Sequence, residues 1–221
     1  FERDEAKFVL HEAGRPLSVF FKEQKESNQL IEEFMLLANK KVAEFIGRKR
    51  PGKKAERTFV YRVHDAPDPE KLAEFKSFIV RFGYTMKAEK GRAVAKALNK
   101  LLKEIKGKKE ENLISTLAIR SMAKATYTTD NIGHYGLAFD YYTHFTSPIR
   151  RYPDMMVHRL LAHYLGGGKS EEKKHCEDLC EHSSAMEIRA SEAERVSIKY
   201  KMVEYIGDKM GGGYDGTISG V

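Results

Sequence analysis

His134-Tyr135-Gly136-Leu137-Ala138-Phe139-Asp140-Tyr141-Tyr142-Thr143-His144-Phe145-Thr146-Ser147-Pro148-Ile149-Arg150-Arg151-Tyr152-Pro153-Asp154-Met155-Met156-Val157-His158-Arg159 is the stretch on which the reading of this chain turns. Pro148 and Pro153 each remove a backbone donor and restrict the preceding residue, so the stretch cannot be one regular helix. It reads as a shaped, polar-aromatic loop over 127–153 that feeds a helix over 153–165. Tyr135, Tyr141, Tyr142, His144 and Phe145 offer flat faces, and stacking on a base is worth about 1–3 kcal/mol each. Thr143, Thr146 and Ser147 offer hydroxyls, and Arg150 and Arg151 offer planar forks that suit phosphate. Ser147-Pro148 has the form of a helix start, where free N–H groups favour an anion. Spacing alone leaves a plainer reading open, with core aromatics and an Arg-Arg pair on a solvated face. Asp154 can cap or staple Arg150 or Arg151 instead of meeting a ligand, and His158 and His163 read as packing histidines rather than bases.

Upstream, residues 6–10 and 17–21 alternate as two strands around the turn chemistry of 11–16, with Gly14 supplying the positive φ of a hairpin. Leu30, Ile31, Phe34, Met35, Leu37, Ala38, Val42 and Phe45 recur at helical spacing over 27–46, which predicts one buried face. A basic break follows at 48–57, then a short strand at 58–63. Asp68-Pro69 starts a helix that Gly83 closes. Further helices are expected at 91–106 and 110–126, and a long helical region at 170–209. The lysine-rich run 100–109 alternates with Leu101, Leu102 and Ile105, so it reads as a solvated amphipathic helix rather than a nucleic-acid arm. The expected class is α+β and helix-rich, with one unit over 1–212 and a turn and strand over 213–221 opening another.

The 221 residues are 41% hydrophobic, with 12 Phe and 11 Tyr, which suits a folded core and excludes a disordered chain. A net charge of +7 favours polyanionic partners. No apolar run reaches the ~18–20 residues of a bilayer span, so no membrane role is expected. Cys176 and Cys180 are too few for a disulfide framework and fit a reducing, cytoplasmic setting. With His175 and His182 they match no common zinc spacing, so buried thiols are the expectation and no metal site is assigned. Phe1-Glu2-Arg3-Asp4-Glu5 reads as the interior of something longer.

The run from His134 to His158 resembles the signature of the ribonuclease II/R family: an aromatic stretch, then Thr-Ser-Pro-Ile-Arg-Arg-Tyr-Pro-Asp, then a His four residues after the Asp. The resemblance continues at Phe1–Phe8, at Gln29-Leu30-Ile31-Glu32-Glu33-Phe34-Met35, at Arg189-Ala190-Ser191-Glu192-Ala193-Glu194-Arg195, and in the last residues, which resemble the first strand of an OB-fold domain. The ribonuclease R branch is the nearer one. The resemblance implies the C-terminal part of the catalytic domain of a processive 3′→5′ exoribonuclease that hydrolyses single-stranded RNA to 5′-mononucleotides with Mg2+. It implies catalytic roles for Arg150 on the scissile phosphate, for Glu33 near the terminal nucleotide and for Glu192 at the terminal ribose. It implies stacking by Phe1, and RNA contacts by Tyr142, His144, Thr146, Ser147 and Arg151. The aspartate cluster that holds the Mg2+ ions has no counterpart among the scattered Asp65, Asp68, Asp130, Asp140 and Asp154. The chain by itself is therefore expected to be inactive. A non-catalytic RNA-binding or interaction module is the alternative. Core surfaces left uncovered would favour self-association.

Overall fold

Gly14, at φ +78°, closes an antiparallel hairpin of β1 (Glu5–Leu10) and β2 (Pro16–Lys22) in which Phe8 faces Val19. The computed structural model describes residues 5–22, 25–48, 57–88, 91–207 and 209–213. Phe1 and residues 214–221, where stacking and a new domain are expected, lie outside them. The fold is α+β and helix-rich, as expected, with the elements arranged around two apolar cores.

The first core gathers the C-terminal half of α1 (Glu26–Gly47), a two-stranded ribbon of β3 (Tyr61–Val63) and β4 (Thr126–Thr128), α5 (Tyr152–Leu165) and the start of α6 (Lys173–Gly207). Phe59, Val60, Val157 and Cys180 are fully enclosed there. The second core lies among α2 (Pro69–Val80), α3 (Gly91–Ile105) and α4 (Glu111–Ser121). Asp68 caps α2 by accepting from the N–H groups of Glu70 and Lys71, at 2.9 and 3.3 Å, with Pro69 in the first turn. In α3 the apolar stripe Val94, Leu98, Leu101 and Ile105 is buried while Lys100 and Lys103 are exposed, so the lysine run is a solvated helix face.

Three local expectations are corrected. The helix expected over 110–126 ends at Ser121, because Thr126–Thr128 pairs with β3, Arg62 lying opposite Tyr127. The helix-start form read at Ser147-Pro148 is a turn, while α5 begins at Tyr152, one residue before the start of the helix expected over 153–165. In α1 only Asn39, Ala43 and Ile46 are buried; Leu30, Ile31 and Phe34 stay 58–61% exposed, so the expected apolar face is covered only in its C-terminal half. Among the described residues, no helix is long and apolar enough to cross a membrane.

Candidate functional site

The Thr146–Asp154 turn is held by one carboxylate. Asp154, in the first turn of α5, has no solvent exposure. Its Oδ1 accepts from Ser147 N at 2.8 Å and from Arg151 Nη2 at 2.9 Å. The Arg150 and Arg151 N–H groups close the turn on Ser147 O. A buried carboxylate without its guanidinium partner would carry a desolvation penalty of several kcal/mol, roughly, so the pair pins the turn. Arg151 is thereby committed to the protein while Arg150, one residue away, remains exposed.

Arg150 lies at a cleft of about 740 Å³ between this turn and α6. Tyr127, Arg151 and Tyr152 share its wall with Arg150; Ser183, Met186, Glu187, Ser191 and Glu194 line it from α6. Glu187 is held from behind. Arg62 Nη1 and Nη2 donate to its two oxygens at 2.6 and 3.0 Å, and the same guanidinium stands 4.5 Å from the centre of the Tyr127 ring. Burial pushes the Tyr127 hydroxyl up to about 12, so it stays protonated. Its oxygen lies 2.8 Å from His144 Nδ1. Burial, reinforced by Arg151 and Arg62, lowers His144 to about 3. Both groups are therefore neutral, and which of them donates across this contact follows the imidazole tautomer.

The sequence-derived site residues fall into three groups. Arg150 is on the cleft, and so is Arg151, although Arg151 is bound to Asp154. Glu192 is exposed on α6 next to Ser191 but does not line the cleft, and Glu33 is exposed on the uncovered part of α1. The carboxylates that do line it are Glu187 and Glu194. Tyr142 corrects a stacking assignment: its ring is 5% exposed and packs on His134, Phe139 and His144. Its hydroxyl accepts from buried Asn39 Nδ2 at 3.2 Å, while Asn39 Oδ1 accepts from Phe145 N at 2.9 Å. No face of that ring remains for a base. His144 and Thr146 are likewise turned inward, the Thr146 hydroxyl oxygen being fully buried, and Ser147 contributes its backbone N–H to the clasp.

Sequence reasoning missed Arg62, Glu187 and Tyr127. Glu187 reads as one member of an exposed charge mix with i,i+4 pairs, yet its partner lies 125 residues away. Only the alternation of Tyr61-Arg62-Val63, a cation between two apolar strand residues, hinted at it. His158 is the packing histidine expected, stacked on Phe145 at 4.0 Å with a 2.9 Å hydrogen bond to Phe145 O. Cys176 and Cys180 are buried thiols, and burial pushes Cys180 up to about 12.

Residues 1–167 match the RNB domain family model. The whole chain aligns with ribonuclease R 1 of Lactococcus lactis at 38% identity and with ribonuclease R of Aquifex aeolicus at 37%, covering 27% and 31% of those proteins. Against Escherichia coli ribonuclease R the identity is 31%, again over the whole chain. The chain thus spans less than a third of the length of these relatives. Among solved structures, Mycoplasma genitalium RNase R in complex with double-stranded RNA superposes with a TM-score of 0.83 at 26% identity, over 99% of this chain and 39% of that one. Yeast Ssd1, a pseudonuclease, superposes with a TM-score of 0.61 at 28% identity over 73% of this chain and 20% of that one.

Proposed function

The chain belongs to the RNB-domain family of ribonuclease R relatives, and from that premise we propose that it forms part of a processive 3′→5′ exoribonuclease that hydrolyses single-stranded RNA to 5′-mononucleotides. The observation that carries the proposal is the division of labour between two adjacent arginines. Asp154 binds Arg151, and the rigid turn so formed presents Arg150 at the cleft. A guanidinium carried on a backbone held in that way is aimed at the cleft, and its attraction for phosphate grows as charge builds on the phosphate oxygens during hydrolysis. RNA bound to M. genitalium RNase R supports RNA as the partner. A cytoplasmic setting, where the two thiols stay reduced, belongs to the same proposal.

The described residues do not fit a Mg2+ site. No three His, Cys, Asp or Glu side chains among them converge as a metal cage. Asp68 caps a helix, Asp130 pairs with Lys173, and Asp154 binds Arg151. The unpartnered Oδ2 of Asp154 shares its turn with the likewise unpartnered Arg151 Nε, and that cation disfavours a second one. Ligands for Mg2+ in the parent enzyme are proposed to come from outside the described residues.

The test compares the 221-residue chain with the longer protein that carries it, each incubated with 5′-labelled single-stranded RNA and Mg2+. Stepwise shortening from the 3′ end by the longer protein alone is the expected result. Shortening by neither favours the second reading, a non-catalytic RNA-binding module, for which the likeness to a pseudonuclease speaks.

A further inference from the structure

We propose that Arg62 is a positioning residue of the cleft, which neutralises and orients Glu187 so that the wall formed by α6 admits a phosphodiester strand. The proposal rests on the RNA reading above. Glu187 is a carboxylate in a cleft that, on this reading, receives a polyanion, and like charges there raise the cost of binding. Its pairing removes the conflict. Both oxygens are engaged by the Arg62 fork at 2.6 and 3.0 Å, and the Arg62 side chain is only 12% exposed against 35% for Glu187. The pair is therefore sheltered on the cation's side and open on the carboxylate's side.

Arg62 is itself fixed from several directions. It sits in β3 opposite Tyr127, its N–H donates to Tyr142 O at 3.0 Å, and its guanidinium lies over the Tyr127 ring. Tyr127 N in turn donates to Ser184 Oγ of α6 at 3.0 Å. The guanidinium thus orders two cleft residues, Tyr127 and Glu187, while lining no part of the cleft. Without Arg62, Glu187 would carry an uncompensated charge into the cleft that also holds Arg150. There it would repel phosphate or draw Arg150 away from it.

The test measures affinity of the longer protein for a fluorescein-labelled single-stranded oligoribonucleotide by anisotropy in EDTA, at low and high salt, with melting temperatures alongside. Arg62→Ala should weaken binding about tenfold at low salt, with a smaller gap at high salt where charges are screened. Adding Glu187→Gln to Arg62→Ala should bring affinity back to within about twofold of the parent, the coupling expected of two groups in contact. Arg62→Gln keeps a hydrogen bond without the charge and covers the case in which the alanine variant fails to fold; it should weaken binding in the same salt-dependent way. Folded variants that bind as the parent does, or a double variant no better than Arg62→Ala, would overturn the assignment. A parent protein that binds no oligoribonucleotide would instead overturn the RNA reading, and the Arg62 assignment with it.

Discussion

Asp154 Oδ1 and Arg151 Nη2 lie 2.9 Å apart with the carboxylate wholly removed from solvent. This single pair decides which of two consecutive arginines is tied to the protein and which stays exposed at the cleft.

Breaking the pair should be costly. Asp154→Ala strands the Arg151 guanidinium and the Ser147 N–H, and is expected to destabilise the chain by about 3–5 kcal/mol. Urea unfolding measures this. Arg151→Ala should fall in the same range, because it leaves the buried carboxylate uncompensated.

Arg150 should behave in the opposite way. It is exposed, so Arg150→Ala should change stability by less than about 0.5 kcal/mol. In the longer protein the same variant should lower kcat for RNA hydrolysis by about 100-fold or more, with a smaller effect on affinity. Arg150→Lys keeps the charge but loses the planar fork, and should also fall well short of the parent. Single-turnover kinetics separate the two effects.

Asn39 ties α1 to the 142–145 segment through both ends of its amide. Asn39→Ala should cost about 1–2 kcal/mol, since the part-buried Phe145 N–H loses its acceptor, and Tyr142→Phe about 1 kcal/mol. Because Tyr142 is a core residue, Tyr142→Phe should leave RNA affinity unchanged, a result that anisotropy can check.

His144 and His134 are lowered by burial to about 3 and about 4, so both are neutral in the native state and protonate more readily when unfolded. The unfolded chain binds more protons between those values and the ordinary histidine value near 6.5. Their contribution is therefore fully present above about pH 6.5 and is lost as the pH falls toward 3–4. His144→Asn should flatten the fall in stability across that window, as followed by unfolding at a series of pH values.

Leu30, Ile31 and Phe34 on α1, with Phe20 and Phe21 on β2, are at least 50% exposed. Apolar surface of this kind drives association. The isolated chain should dimerise in a concentration-dependent way in sedimentation experiments. Ile31→Glu with Phe34→Glu should hold it monomeric with its melting temperature nearly unchanged.

Much of the molecule was legible in the sequence. Gly14 marked the hairpin, Asp68-Pro69 marked a helix start, and the alternation of Leu101, Leu102 and Ile105 with the lysines marked α3 as amphipathic. All three rest on interactions between residues a few positions apart, and a linear reading contains those. The irregular turn around Arg150, and Asp154 as the staple of one of its two arginines, were legible from residue type and spacing.

What the linear reading could not contain were contacts closed by distant partners. Thr126–Thr128 is a strand because β3 pairs with it from more than sixty residues upstream. Tyr142 is core because Asn39 reaches its hydroxyl from 103 residues away, and Glu187 is a cleft residue rather than a solvated one because Arg62 holds it across 125. Residue type fixes what each side chain can do. Burial and partner, which only the folded chain brings together, fix whether Arg150 or Arg151 is the one available to do it.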